Sequence, residues 1–294
     1  MYHLVYGILY LISLLPFRVL YFFSDAFYGI IFYVFGYRKK IVLNNLKIAF
    51  PEKAEEERVR IAKDFYHNLI DYVFETIKLI SVSEKEIFKR CKSDFDINEV
   101  ARKLQKVQVH SSHQFNAEYA NWFYSKNSAL PSVGIYIKLS NKILDRIILN
   151  IRTRYGTLMV ESNDFRYKMN EVYKNPYMLG WAADQNPFKP HNSFWLNLFN
   201  KPAPFLKIPE KSAIKNSTAV IFARSRKIKR GYYFFEFKVI TENAAGFPPG
   251  EITRMYRDYL EETIKLDPAN YLWSHRRWKH GYKEEYKNLW IDKD

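Results

Sequence analysis

Lys106-Val107-Gln108-Val109-His110-Ser111-Ser112-His113-Gln114-Phe115-Asn116-Ala117-Glu118 runs from a short β-type stretch into a polar turn that carries a histidine. A carboxylate follows five positions later, at the start of an aromatic segment. Residues five apart lie roughly 140° around a helix axis, so two helical residues at this spacing would point to different faces. His113 and Glu118 meet only if the histidine sits at or before the helix start and the carboxylate reaches back from the first turns. A strand, a tight turn and a helix supply that geometry, and active sites favour strand ends in α/β folds. A neutral imidazole oriented by a carboxylate suits general-base chemistry. With 7 histidines and 31 acidic residues in 294 positions, chance supplies roughly 0.7 such His-x4-acid pairs. The second pair, His280/Glu285, lies in a polar tail with no strand before it and reads as accident.

Outward from this stretch the chain alternates. Short β-type runs at 107–110, 133–137, 157–161, 178–183 and 219–224 are separated by helical stretches near 114–127, 141–155, 164–174 and 207–217. Alternation of this kind predicts an α/β fold, a central mixed sheet flanked by helices. The aromatic run 232–240 pairs with the strand before it, and Arg224, Arg226, Lys227, Lys229 and Arg230 between them form a basic loop, read as a solvated hairpin tip or a contact with anionic lipid. Residues 251–265 read as an amphipathic helix. Upstream, Val59, Ala62, Phe65, Tyr66, Leu69, Ile70, Val73, Phe74 and Ile77 recur at helical spacing, behind Glu55, Glu56 and Glu57, whose charges suit a helix start.

Composition bounds the function. A 48% hydrophobic content provides an ample core, and 23 Tyr with 23 Phe suit a membrane interface. The net charge of +15 draws the surface to something anionic. No nucleic-acid-binding signature accompanies that charge, so no nucleic acid is expected. The single cysteine, Cys91, excludes an intramolecular disulfide, fits a reducing compartment and has no base beside it to make it a nucleophile. No metal-ligand spacing is present, and no cofactor is called for. Residues 1–37 are apolar but interrupted by Pro16, Arg18 and Asp25, without the basic start and cleavage site of a signal peptide. They read as a membrane anchor of residues 1–40, either one span or a pair of interfacial helices, ahead of a single α/β domain at 41–294. Arg38-Lys39-Lys40 places the domain after it on the cytoplasmic side.

Further blocks carry a resemblance. His113, Asn116 and Glu118 match a G-H-x-G-N-W-E pattern; Asn141 with Leu144-Asp145, then Arg152-Thr153-Arg154, match N-x-x-L-D and R-x-R. Ala183-Asp184-Gln185 and Trp273-Ser274-His275-Arg276-Arg277-Trp278-Lys279 match an A-D-Q block and a W-x-H-R-R-W-K signature. In their order and extent they resemble the bacterial lipid A late (lauroyl/myristoyl) acyltransferase family of the lysophospholipid acyltransferase superfamily. Ser112, Phe115 and Ala117 depart from the pattern, which leaves the His/Glu pair intact and bears on acyl length and acceptor.

The resemblance implies a glycerolipid acyltransferase-like fold and an inner-membrane, cytoplasm-facing O-acyltransferase. Its donor is a thioester on acyl-carrier protein or coenzyme A, and its acceptor a hydroxyl of a lipid A precursor or related glycolipid in the membrane. Another lipid acceptor (aminolipid, phospholipid or pigment precursor) and a non-catalytic membrane-surface relative are the alternatives. His113 is the expected base and Glu118 the group that holds it. Asn116 positions either the turn or the substrate, and Asp184 and Gln185 line the site from a strand end. Arg152 and Arg154 are candidates for an anionic group, with Arg154, beside the helix end at Tyr155-Gly156, expected to approach it and Arg152 to be structural. His275, Arg276 and Arg277 serve phosphate binding or an internal network.

Overall fold

The computed structural model describes residues 1–292; Lys293 and Asp294, the end of the expected 41–294 domain, lie outside the described residues. Four helices come first: α1 (Tyr2–Leu14), α2 (Phe17–Gly29), α3 (Lys39–Ala49) and α4 (Glu55–Lys78). The α/β part follows with α5 (Glu84–Arg90), β1 (Cys91–Lys92), α6 (Ile97–Lys103), β2 (Lys106–Ser111), α7 (Ala117–Asn127) and β3 (Ser132–Tyr136). It continues through α8 (Lys142–Thr153), β4 (Leu158–Glu161), α9 (Phe165–Val172), β5 (Tyr177–Ala182), β6 (Ser193–Leu198) and β7 (Lys201–Leu206). The last elements are α10 (Ile208–Lys215), β8 (Ala219–Lys229), β9 (Tyr232–Thr241) and α11 (Glu251–Leu266).

Seven strands form one sheet in the order β1-β9-β8-β2-β5-β3-β4, parallel except for the β8–β9 hairpin, and helices flank it as the alternation predicts. β2 is central, between β5 and β8, and its middle four residues are buried. A strand covered on both faces leaves its carboxyl end as the accessible place for chemistry. β6 and β7 form a separate antiparallel hairpin that the alternation did not foretell.

α4 is the long helix expected, but its buried side is rotated from the apolar stripe. Val73 is exposed, whereas Asp71 and Glu75 are buried. The Glu75 carboxylate accepts from Tyr21, Asn116 and Tyr233 at 2.8–2.9 Å. Asp71 accepts from Ser24, Lys227 and Arg230. α2, α4 and the β8–β9 hairpin are therefore tied by polar contacts, each buried carboxylate being fully partnered as burial requires. The basic stretch read as a hairpin tip belongs to the β8–β9 hairpin; several of its cations are ion-paired, while Arg226, Ile228 and Lys229 stay exposed at its end. Arg230 pairs with Asp71 and Asp25, Lys227 with Asp71, and Arg224 and Arg226 with Glu236. At the hairpin turn Gly231 has φ +75°, and a Cβ there would lie 2.0 Å from the Tyr21 hydroxyl oxygen. Only glycine lets α2 come that close.

The stretch Phe17–Phe35, α2 continued by the π-helical turn Ile30–Phe35, is 19 residues with mean hydropathy 1.3, long and apolar enough to cross a membrane. Val34 and Phe35 at its end are 74% and 73% exposed.

Candidate active site

The register of the parallel sheet builds the site. Ser111 of β2 pairs with Ala182 of β5, so the two strands leave the sheet level with each other. Two residues beyond the pair, on one side stands His113 and on the other Asp184. The Asp184 carboxylate accepts from the His113 backbone N–H at 3.0 Å and contacts its ring Nδ1 at 2.7 Å. Asp184 is 1% exposed and the His113 side chain 32%. Burial alone would raise the Asp184 carboxyl, but the charge and hydrogen bond of His113, with Tyr271 adding to them, hold it below the usual carboxylate range. An ionised carboxylate only accepts, so Nδ1 is the donor of this contact, and in the neutral form of the ring Nε2 carries the lone pair. This is the arrangement in which a carboxylate fixes the tautomer of a general base and steadies its cation.

The turn itself is held by the C-terminal segment. Phe115 N–H donates to the Asn270 carbonyl and Leu272 N–H to that of His113, while Gln114 bridges to Tyr271. From the sheet side, Ser225 donates its hydroxyl to the Phe115 carbonyl and its N–H to Gln114 Oε1. Asn116 is buried as the N-cap of α7, accepting from the N–H groups of Glu118 and Tyr119 and donating to Glu75. Of its two expected roles, these contacts are those of a residue that positions the turn.

Glu118 does not hold His113, as the spacing led us to expect. It is 3% exposed in the first turn of α7 and faces α8. There it accepts from Arg152 Nε at 3.0–3.1 Å and Nη2 at 2.6 Å, and from the Tyr72 hydroxyl at 3.1 Å. Burial works against the Arg152 charge, but Glu118 more than reverses this and raises its pKa. The physical reason is that parallel register, which brings residues distant in sequence to one sheet end, had already delivered Asp184 to the imidazole. The Arg152 guanidinium is thus occupied by Glu118. Arg154 differs from expectation: its guanidinium donates to the Leu79 and Ile80 carbonyls just past α4 rather than standing free for an anion.

Asn186, which sequence reasoning passed over, joins the remaining candidates. Its N–H donates to His275 Nε2 at 3.1 Å, its amide donates to the Arg276 carbonyl, and its Oδ1 accepts from Arg277 Nη1 at 3.1 Å. Burial pushes His275 down to about 4, so the ring is neutral. Arg277 is 1% exposed, its guanidinium lies 4.4 Å over the Phe205 ring, and burial lowers its pKa. Gln185 is partly buried beside Asp184, and Arg276 is exposed. Cys91 is buried, and that burial raises its thiol pKa well above the ordinary value, the opposite of what a nucleophile needs.

The chain matches the family described as bacterial lipid A biosynthesis acyltransferase over residues 1–280. It is 22% identical over 279 residues to the lipid A biosynthesis lauroyltransferase of Escherichia coli (strain K12), covering 93% of this chain and 89% of that protein. It is 23% identical over 284 residues to the lipid A biosynthesis palmitoleoyltransferase of the same strain, with the same coverage. A lipid A biosynthesis acyltransferase of Shigella flexneri is similar to the same degree. With a family match that runs from the first helix past the His-Arg-Arg segment, this chain belongs to the bacterial lipid A biosynthesis acyltransferase family and is an acyltransferase.

Proposed function

We propose that the chain moves a fatty acyl group from an acyl thioester to a hydroxyl of a lipid A precursor or related glycolipid, with His113 as general base and Asp184 as the group that orients it. The observation that carries this reading is the 2.7 Å contact between His113 Nδ1 and a buried Asp184, on an imidazole that stays one-third open. The acceptor hydroxyl gives its proton to Nε2 as its oxygen attacks the thioester carbonyl. The tetrahedral oxyanion collapses, the C–S bond breaks and the imidazolium returns the proton to the leaving thiolate. A positioned base contributes about 10²–10⁴-fold to such a step. Glu118, Arg152 and Tyr72 hold α7 against α8 and α4, and so keep the turn in place.

Acyl-carrier protein is the donor carrier that suits a chain of charge +15, with coenzyme A the other. Residues 1–40 act as the membrane-associated end and residues 41–294 as the catalytic domain, at the cytoplasmic face of the inner membrane; the exposed apolar stretch Phe17–Phe35 followed by Arg38-Lys39-Lys40 supports this. The same chemistry on another lipid acceptor is the second reading. Phe115, buried against Phe65 and Tyr72 two residues from the base, favours it, since the family pattern has glycine there. The test is product mass spectrometry with acyl-carrier protein and coenzyme A donors and a panel of lipid acceptors. Acyl transfer by the wild-type chain and its loss in a folded His113→Ala variant are expected; wild-type rates in that variant would refute the mechanism.

A further inference from the structure

Glu75 of α4 meets the corner from which α7 begins, at Asn116, three residues past the base. Asn116 Oδ1 accepts from the N–H groups of Glu118 and Tyr119 at 3.0 and 3.1 Å. Its Nδ2 therefore points away from α7, and there the Glu75 carboxylate accepts from it at 2.8 Å. Of these side-chain contacts, the one to Glu75 is the one that leaves the helix. Asn116 is 0% and Glu75 1% exposed, so water does not replace either partner. Phe115 also rests on α4, through Phe65 and Tyr72, but apolar packing is non-directional and does not set the angle of the turn.

The same carboxylate reaches two other elements. The Tyr21 hydroxyl of α2 donates to Oε1 at 2.9 Å, and the Tyr233 hydroxyl of β9 to Oε2 at 2.8 Å. The Tyr233 ring stands edge-on to Tyr119 in the first turn of α7, with centroids 5.6 Å apart. Burial raises the pKa of the Glu75 carboxyl, and the Asn116 hydrogen bond leads the contacts that oppose this. Tyr21 lies within the Phe17–Phe35 stretch that is long and apolar enough to cross a membrane. One carboxylate and two hydrogen bonds thus join that stretch to the corner beside the base. We propose that Glu75 is a positioning residue for acyl transfer: it holds Asn116, and through it the His113 turn, to α2, so that seating of α2 on α4 aligns the base. The inference rests on the reading of His113 as general base, whereas the contacts of Glu75 do not. Misplacing a reacting group by ~1 Å costs about 10²-fold in rate, so a small tilt of this corner is enough to matter.

The test uses the full chain in detergent micelles, with an acyl-carrier protein thioester and a lipid A precursor as substrates. Rates are taken where circular dichroism reports each variant folded, and hydrogen exchange is followed at the Glu118 and Tyr119 amides. Glu75→Leu leaves the Asn116 amide without its acceptor, and should lower kcat about 10–100-fold with KM for the thioester within about twofold. Glu75→Gln keeps an oxygen for Asn116 and turns its NH₂ to the Tyr21 hydroxyl, which can accept; kcat should stay within about threefold of wild type. Asn116→Asp preserves the helix cap but sets two carboxylates together, so it should lower kcat about tenfold or more, and Glu75→Gln should suppress that loss. Tyr21→Phe should lower kcat about three- to tenfold and speed exchange at both amides. A Glu75→Gln variant as slow as Glu75→Leu would overturn the proposal. So would an Asn116→Asp loss that Glu75→Gln does not relieve, or wild-type rate and exchange in Tyr21→Phe. Should Glu75→Leu fail to fold, the Asn116→Asp and Glu75→Gln pair decides, since it keeps both positions polar. Absence of acyl transfer by the wild-type chain would sink the proposed function, while the exchange rates still decide whether Glu75 holds the corner.

Discussion

Removing one partner of the Glu118–Arg152 pair should unfold the protein earlier, and that separates a structural carboxylate from a catalytic one. Arg152→Met keeps an unbranched stem and deletes the guanidinium that makes three contacts of 2.6–3.1 Å to Glu118. Glu118, 3% exposed, is then left with the Tyr72 hydroxyl at 3.1 Å. Breaking a buried pair costs ~3–5 kcal/mol, and the low end applies because Arg152 retains some contact with water. For a chain of this size ~3 kcal/mol corresponds to a fall in Tm of about 6–12 °C. The assay is a thermal melt in detergent at fixed scan rate, since heating such a protein is often irreversible. Glu118→Gln combined with Arg152→Met should recover about half of the loss, because no uncompensated charge remains buried. A fall below 2 °C in Arg152→Met, or strict additivity in the double variant, would refute the reasoning.

Other expectations rest on the same contacts. Arg154→Ala removes two carbonyl contacts past α4 and should cost about 1–3 kcal/mol of stability, read as a lower Tm, with equal effects on kcat/KM for phosphorylated and dephosphorylated acceptors. Burial drives His110 down to about 3 and His275 to about 4, so both are neutral when folded while the unfolded chain takes protons near pH 6.5. Their contribution is complete above about 6.5 and is lost as the pH falls towards 4; Tm should fall over that window, less steeply in His275→Gln. Asp184, held low by His113 against burial, adds a further loss only below about pH 4. The intact chain should sediment with membranes and resist a high-salt wash, because burial of the Tyr2–Tyr37 apolar surface is not screened by ions; release by salt alone would contradict this.

The sheet was legible because its strands alternate with helices at ordinary lengths, and β2, β3, β4, β5 and β8 fall within a few residues of their predicted runs. The β6–β7 hairpin was not. Its turn, Phe199-Asn200, adopts positive φ at both residues without the glycine that marks such turns, and Pro202 and Pro204 lie inside the second strand, where proline argues against a strand. At the site, His113, Asp184 and the His-Arg-Arg segment were singled out, but the partner of His113 was misassigned. A five-residue spacing is visible in one dimension, whereas the Ser111–Ala182 register that sets Asp184 beside the imidazole exists only once the sheet has formed. Glu75 and Asp71 were hidden for a related reason: their partners come from Tyr21, Ser24 and Arg230, far away in the chain.

The central claim is that Asp184, and not Glu118, orients the base. The most direct measurement is the rate of acyl transfer at saturating donor and acceptor for Asp184→Asn, Glu118→Gln and His113→Ala, each at a temperature where circular dichroism reports it folded. Asp184→Asn keeps the shape but favours the wrong tautomer, and should lower kcat by about 10²–10⁴-fold. His113→Ala with Asp184→Asn should be no slower than His113→Ala alone, because the two act as one unit. Folded Glu118→Gln should retain kcat within about tenfold. A near-normal rate in Asp184→Asn beside a 10²-fold or greater loss in folded Glu118→Gln would contradict the account.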